Sequence, residues 1–147
     1  MRIAFGADHG GYKLKDALVI YAREKGHAVR DFGTADHEAV DYPEYARLVG
    51  NALVEKQADL GVLICRSGIG MSIAANKIQG IRAAVGYNEK VARLSRLHNG
   101  ANVLCLGADF ITETEALAIF ETFVNTAVST DDRHQRRIAK IGALERN

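Results

Sequence analysis

The sequence has few of the residues, above all cysteines, that stabilise small proteins lacking a large hydrophobic core. It contains two cysteines, one proline and no tryptophan in 147 residues. Two thiols are too few for the disulfide framework of a small secreted protein, whereas a chain that is 48% hydrophobic can form a core without disulfides or a metal. We therefore expect a single domain over residues 1–147, with reduced cysteines.

An excess of charge of either sign is also missing. The 19 basic and 18 acidic residues leave a net charge of +1, which argues against a protein that binds nucleic acid through a broadly positive surface. No apolar run approaches the length needed to span a bilayer, and the N-terminal residues are typical of a strand rather than of a signal peptide. We expect a cytoplasmic protein that binds neither nucleic acid nor a membrane.

What the sequence does contain is a regular alternation of short apolar segments and amphipathic ones. In the amphipathic segments the apolar residues recur every three or four positions, as at Leu14, Leu18 and Tyr21. Pro43 is well placed to begin the second helix. The pattern predicts an α/β protein with a three-layer α/β/α Rossmann-like fold and a five-stranded parallel sheet. The predicted strands are Ile3–Ala7, Ala28–Phe32, Leu60–Cys65, Ile81–Tyr87 and Asn102–Gly107.

Ligands of a parallel sheet bind beyond the carboxyl ends of its strands, so the residues at those ends are candidates for chemistry. Asp8 and His9 follow the first strand, and the loop Cys65–Ser72 follows the third. We expect His98, near the end of the helix after the fourth strand, to lie at the same edge. The polar loop 33–41 could cover the site formed there.

The loop after the third strand is the most informative of these segments. Its glycines, Gly68 and Gly70, allow backbone N–H groups to converge on an anion, and we expect a short helix over Ile73–Lys77 behind them. The same N–H groups would favour the thiolate of Cys65. A buried structural cysteine before a tight turn fits this loop equally well. Cys105, in the middle of the fifth strand, is expected to be a core residue.

Spacing disfavours several other kinds of site. A low-molecular-weight phosphatase would need an arginine where this chain has Met71. A dinucleotide-binding domain would carry its glycines after the first strand, and a phospho-acceptor receiver domain would have an aspartate in place of Cys65. The histidines His9, His98 and His134 lack the paired spacing of metal ligands. We therefore expect no metal site.

Seven segments form a pattern that extends from the first strand to the last helix: Asp8–Gly11, Asp41–Pro43, Cys65–Lys77, Gly80–Ala83, His98–Asn99, Asn102–Leu104 and Arg133–Arg137. In their order and spacing these segments resemble ribose-5-phosphate isomerase type B.

The resemblance implies an aldose–ketose isomerase that interconverts ribose 5-phosphate and ribulose 5-phosphate without a metal or organic cofactor. It also implies a homodimer or a dimer of dimers, with sites built between subunits. Two alternatives stay open: an isomerase of another aldose phosphate, such as allose 6-phosphate or a tetrose or hexose phosphate, and a non-catalytic sugar-phosphate-binding protein. Both Cys65 and His98 are present, which favours the enzyme.

The same resemblance implies roles for individual residues. Cys65 would be the base that moves a proton between C1 and C2 of the open-chain sugar, with Ser67 near it and His98 assisting ring opening. Some relatives use a glutamate as base where this chain has Met71, so this chain resembles the cysteine branch. The implied binding residues are Asp8, Tyr42 and Asn99 for the sugar, Gly68, Ile69 and Gly70 for the enediolate, and His9, Arg133 and Arg137 for the phosphate, with His134 adjacent.

Two positions depart from the family pattern. Members usually have glycine directly after the catalytic cysteine, where this chain has Arg66, and many carry an arginine where this chain has Asp109. Losing a cation and gaining an anion should weaken phosphate binding. We hypothesise that Arg66 restores positive charge to the phosphate or to the Cys65 thiolate. The alternative is that Arg66 points to solvent.

Overall fold

The computed structural model describes residues 1–146, which are organised around one parallel sheet. The strands lie side by side in the order β2-β1-β3-β5-β4, and every neighbouring pair is parallel. The middle strand is buried along its whole length, as its apolar run predicts. The strands are β1 (Arg2–Ala7), β2 (Ala28–Asp31), β3 (Leu60–Cys65), β4 (Ala83–Val85) and β5 (Val103–Gly107).

Six helices alternate with the strands or follow them. Pro43 lies in the first turn of the second helix, as predicted, since its fixed backbone angle suits that position. None of the helices within residues 1–146 is long and apolar enough to cross a membrane. The helices are α1 (Tyr12–Glu24), α2 (Tyr42–Val54), α3 (Ile69–Ala75), α4 (Glu89–Asn99), α5 (Glu113–Asn125) and α6 (Asp132–Ala143), and a short 3₁₀ turn (Leu144–Arg146) comes after them.

The helices cover both faces of the sheet and enclose two hydrophobic cores. One core lies under α1, α4 and α5, and the other lies under α2 and α3. Alternate side chains of β3 enter the two cores, because successive residues of a strand point to opposite faces. Val62 and Ile64 join Phe120 in the first core, whereas Leu63 and Cys65 belong to the second. The predicted three-layer α/β/α Rossmann-like fold is therefore confirmed.

The predicted bounds of two elements, the fourth strand and the short helix, are wrong, and other predicted strand ends differ from the structure by one residue. The fourth strand covers three residues, Ala83–Val85, rather than Ile81–Tyr87. The short helix begins at Ile69 and not at Ile73, because Gly68 adopts a left-handed backbone conformation (φ 77°) and turns the chain directly into the helix. Gly70 consequently lies in the first turn of α3 and not in the preceding loop.

Candidate active site

The chain leaves β1 and β3 toward opposite faces of the sheet, since α1 lies on one face and α3 on the other. A crevice at such a change of direction is where parallel sheets bind ligands. The backbone N–H of Asp8, directly after β1, donates to the carbonyl of Ile64 at 3.1 Å, so Asp8 lies beside the end of β3. We call the residues at this edge the strand-end half-site: Asp8, His9, Tyr42 and Cys65–Gly70.

The thiol of Cys65 lies at the base of the strand-end half-site and is 5% exposed. The backbone N–H of Gly68 donates to its Sγ at 3.1 Å. An N–H dipole directed at the sulfur can stabilise negative charge that develops there. The turn requires glycine, because a Cβ at position 68 would lie 2.9 Å from the carbonyl carbon of Leu106.

The first turn of α3 offers further hydrogen-bond donors. The N–H of Ile69 donates to Oγ of Ser67 at 3.2 Å. The N–H groups of Gly70 and Met71 have no acceptor within the helix, because the first turn precedes the i→i−4 bonding pattern. Of the three predicted enediolate donors, Gly68 and Ile69 are thus engaged within the loop, and Gly70 is available together with Met71, which the sequence-based prediction did not include.

Cys105 contrasts with Cys65 although the two cysteines lie on neighbouring strands. Its side chain is completely buried, and this burial, with a smaller contribution from nearby Cys65, raises the pKa of the Cys105 thiol. The thiol therefore stays protonated and unreactive. The prediction that Cys105 is a core residue is confirmed.

Two groups of the strand-end half-site come from the β1 end. The carboxylate of Asp8 is 7% exposed and accepts the N–H of Gly10 at 2.9 Å. The backbone N–H of Val40, in the polar loop 33–41, donates to Nδ1 of half-buried His9 at 3.3 Å. The neutral ring then carries its proton on Nε2, where it can donate to an anion. The end of loop 33–41 thus contacts this half-site, and its action as a cover stays a prediction.

Tyr42 and Arg66 lie at the border of the strand-end half-site. A Cβ at Gly70 would lie 2.7 Å from Cζ of Tyr42, so the ring packs against the first turn of α3. Nη1 of Arg66 lies 3.6 Å from Oδ2 of Asp109. The two departures from the family pattern therefore pair with each other, which neither interpretation of Arg66 predicted.

The remaining predicted residues form a second cluster, which we call the helix half-site: His98, Asn99, Arg133, His134 and Arg137. The rings of His98 and His134 stack with centroids 4.3 Å apart and planes 9° apart. Nη2 of Arg133 lies 3.4 Å from Nε2 of His134. Burial, with the nearby positive charges of His98 and Arg133 as smaller causes, lowers the pKa of His134 from 6.5.

The prediction that His98 lies at the same edge of the sheet as Cys65 is wrong. Helix α4 starts beyond the carboxyl end of β4 and returns the chain to the start of β5, as parallel strands require. Its end is fixed by Arg82, which precedes β4 and donates from Nε to the carbonyl of Gly100 at 2.9 Å. The two half-sites of one chain therefore lie at opposite edges of the sheet.

The helix half-site is a basic surface beside a hollow. Arg133 and Arg137 lie one turn apart on the exposed side of α6, so both guanidinium groups can bind the same anion. Asn99 lines a hollow of about 800 Å³ between the segment that follows α3, helix α4 and the end of α6, and Cys65 does not line it. Within residues 1–146, no three His, Cys, Asp or Glu side chains are grouped closely enough to hold a metal ion.

Known proteins resemble this chain along nearly its whole length. A family model described as "Ribose/Galactose Isomerase" matches residues 3–141. Ribose-5-phosphate isomerase B of Escherichia coli (strain K12) is 43% identical over 144 residues, which cover 98% of this chain and 96% of that protein.

Solved structures agree with this match. The structure of ribose-5-phosphate isomerase B from Clostridium thermocellum superimposes with a TM-score of 0.96 at 44% identity, covering 99% of this chain and 97% of the other. Type B ribose 5-phosphate isomerase from Trypanosoma brucei gives a TM-score of 0.95 at 44% identity, covering 98% of each chain. The chain therefore belongs to the ribose/galactose isomerase family and is a sugar-phosphate isomerase.

Proposed function

We propose that this protein interconverts ribose 5-phosphate and ribulose 5-phosphate. The observation that carries the proposal is the hydrogen bond of 3.1 Å from the Gly68 N–H to Sγ of Cys65, next to the unused N–H groups of Gly70 and Met71. This arrangement pairs a base with donors for an oxyanion. The similarity to proteins named ribose-5-phosphate isomerase B supports the five-carbon substrate.

The strand-end half-site supplies the groups that an aldose–ketose isomerisation needs. The thiolate of Cys65 removes a proton from C2 of the open-chain aldose, and the negative charge that develops on O1 is received by the N–H groups of Gly70 and Met71. The proton returns to C1, while a second proton moves from O2 to O1, so atoms and charge balance. Each oxyanion donor of this kind contributes about 3 kcal/mol to transition-state stabilisation.

Other residues of this half-site bind and orient the sugar. Ser67 lies between the base and the first turn of α3, where its hydroxyl accepts the N–H of Ile69, and its proposed role is to form a hydrogen bond near the base. The buried carboxylate of Asp8 can accept a hydrogen bond from a sugar hydroxyl, and Tyr42 borders the place where the sugar chain would lie.

The complete site needs two copies of the chain. His98, the proposed ring-opening residue, lies at the edge opposite Cys65 of the same chain. We infer a homodimer, alone or paired into a dimer of dimers, in which the helix half-site of one copy faces the strand-end half-site of the other. Ile69 and Ile73, which are 57% and 58% exposed one turn apart on α3, provide apolar surface for this contact.

In such a dimer the phosphate is bound from both copies. One copy contributes Nε2–H of His9, and the other contributes Arg133 and Arg137, with His134 behind them and Asn99 for a sugar hydroxyl. The unpaired thiols of Cys65 and Cys105 fit the cytoplasmic location expected from the sequence.

The direct test is an activity panel on four-, five- and six-carbon aldose phosphates with the purified protein. We expect the highest kcat/KM with ribose 5-phosphate. A higher kcat/KM with allose 6-phosphate or with a tetrose phosphate would reassign the substrate and leave the reaction class intact.

A cysteine pair tests the mechanism within the same assay. Cys65→Ala is expected to lower kcat by about 10³-fold, because general-base catalysis typically contributes this much, while ribose 5-phosphate still binds. Cys105→Ala is the matched control: it removes a core thiol and should leave kcat within about twofold. Unchanged turnover in Cys65→Ala would remove Cys65 from the mechanism and leave the binding-protein alternative or another base.

A further inference from the structure

Arg66 and Asp109 form an ion pair above the strand ends. Nη1 of Arg66 lies 3.6 Å from Oδ2 of Asp109. The strands that precede them are in register, with Cys65 beside Gly107, and the backbone N–H of Asp109 donates to the Arg66 carbonyl at 3.0 Å. The backbone thus fixes the positions of both residues from which the paired side chains extend.

The Arg66 side chain also contacts the chain that follows β1. A Cβ at Gly10 would lie 2.5 Å from Cγ and 3.3 Å from Nε of Arg66, so the side chain lies directly over this glycine. Gly10 adjoins His9, whose Nε2 is the proposed phosphate donor. Arg66 therefore extends from β3 toward the anion-binding end of the half-site while Asp109, after β5, holds its guanidinium.

The guanidinium of Arg66 is paired with Asp109, yet this pairing leaves its N–H donors open. It has five N–H donors, and the distance of 3.6 Å to Asp109 is longer than a hydrogen bond. Within residues 1–146 the Arg66 guanidinium makes no hydrogen bond to another residue, and the side chain is 65% exposed. A planar guanidinium with open donors is suited to binding a phosphate through two parallel hydrogen bonds.

We propose that Asp109 is a positioning residue that holds the Arg66 guanidinium over Gly10, where it binds the phosphate of the substrate together with His9. This inference rests on the proposed function and deepens it, since it adds a cation to the same anion site from the copy that carries Cys65. It also gives Asp109 a role that depends entirely on Arg66.

The first test measures KM and kcat separately in variants of Arg66. Arg66→Ala is expected to raise KM for ribose 5-phosphate about tenfold with kcat changed less than about twofold, because the contact is made equally in ground and transition states. Arg66→Lys should restore only part of the affinity, since an ammonium lacks the planar fork. The matched control is Arg47→Ala, an exposed arginine paired with Glu44 at 3.1 Å on α2, which should leave KM unchanged.

The second test is the coupling between the two residues. Asp109→Ala is expected to raise KM about threefold when Arg66 is present and to lower it when Arg66 is already alanine, because an unpaired carboxylate only repels the phosphate. Asp109→Glu should restore most of the affinity. A lower KM in Asp109→Ala with Arg66 present would mean plain repulsion, and a lower melting temperature with unchanged KM would mean a structural role; either result overturns the proposal.

A third variant moves Arg66 without changing its charge. Gly10→Ala is expected to raise KM in the native background, because the new methyl group occupies the place of the Arg66 side chain. Beside Arg66→Ala it should raise KM much less, since only the approach of 3.3 Å to Oδ1 of Asp8 remains. Calorimetric titration with inorganic phosphate measures the affinity for the anion without turnover. If no aldose phosphate is isomerised, the proposed function fails, whereas equal phosphate affinity in the native protein and in Arg66→Ala would overturn this inference alone.

Discussion

The two half-sites of this chain differ in what holds their functional groups. In the strand-end half-site, backbone turns and strand register fix Cys65 and the N–H groups around it, and the thiol is 5% exposed. In the helix half-site the groups are long side chains on helix surfaces, such as Arg133, which is 57% exposed. Only the stacked rings of His98 and His134 are fixed by close packing there.

This difference matches the two tasks that an isomerase of phosphorylated sugars performs. Moving a proton between neighbouring carbons requires a base and oxyanion donors held to within a fraction of an ångström, which buried backbone provides. Binding a phosphate far from those carbons tolerates flexible arginines, because charge attraction varies gradually with distance. Cys65 and the backbone donors of the strand-end half-site should therefore control kcat. The exposed arginines of the helix half-site should mainly control substrate binding, and His98 should control ring opening.

The largest effect is expected from combining defects in the two half-sites. Cys65→Ala and His98→Ala should each lower activity by two to three orders of magnitude, at about the value of a general acid or base. When the two variants are co-expressed or exchange subunits, each mixed dimer has one site with both defects and one intact site. Half of the dimers are mixed at equal amounts, so about a quarter of the native activity should return.

The control for this experiment is the double variant, which carries both substitutions in one chain. Mixed with the native protein, it forms dimers in which each site has one defect, so no activity beyond that of the remaining native dimers should appear. Absence of recovery in the mixture of single variants, with subunit exchange demonstrated by size or label, would contradict shared sites.

A smaller effect on kcat is expected at Gly68. Here the left-handed backbone that glycine permits can be separated from the close approach of neighbouring atoms that glycine permits. Gly26 also has a left-handed backbone, with φ 84°, but no atom lies within 4 Å of the position that a Cβ would take there, so Gly26→Ala should cost about 1 kcal/mol of stability and leave kcat unchanged. Gly68→Ala adds the contact of 2.9 Å with Leu106, which displaces the N–H that donates to Cys65. We expect kcat to fall about 10-fold to 100-fold.

Urea unfolding and steady-state kinetics on the two glycine variants measure both quantities. Equal losses of stability with equal kcat would show that Gly68 serves only the turn. The comparison would then no longer support a catalytic arrangement fixed by the backbone in the strand-end half-site.

The sequence predicted that the residues of the strand-end half-site lie together, because most of them are adjacent in the chain or follow neighbouring parallel strands. The order of apolar segments was enough to bring Asp8 beside Cys65. The prediction for His98 was wrong. A helix between two parallel strands starts at the carboxyl edge of the sheet and ends at the opposite edge, and His98 lies near the end of such a helix. The start of α3 was misplaced because the sequence does not show that Gly68 is left-handed.

The pairing of Arg66 with Asp109 could not be predicted from the sequence either. The two residues are 43 positions apart, and they meet because β3 and β5 are neighbours although β4 lies between them in sequence. A parallel sheet built from the same segments in another strand order would separate them. Residue contacts across strands therefore required the topology, whereas the fold class required only the hydrophobic pattern.

The smallest expected effect concerns the pH dependence of stability at the helix half-site. Burial lowers the pKa of His134 in the folded protein from 6.5, so below that pH the unfolded chain binds a proton more readily. The free energy of unfolding should hold above about pH 6.5 and fall as the pH drops from there toward the lowered pKa. Burial also lowers the pKa of His27, which adds a separate contribution.

Urea unfolding at about pH 7.5 and pH 5.5 isolates the part that belongs to His134. His134→Gln should reduce the difference in unfolding free energy between the two pH values, since the group that resists protonation is gone. His37→Gln is the matched control, because that side chain is 83% exposed and should change nothing. If His134→Gln retains the full pH dependence, the stacked pair with His98 is not what couples the stability of the helix half-site to pH.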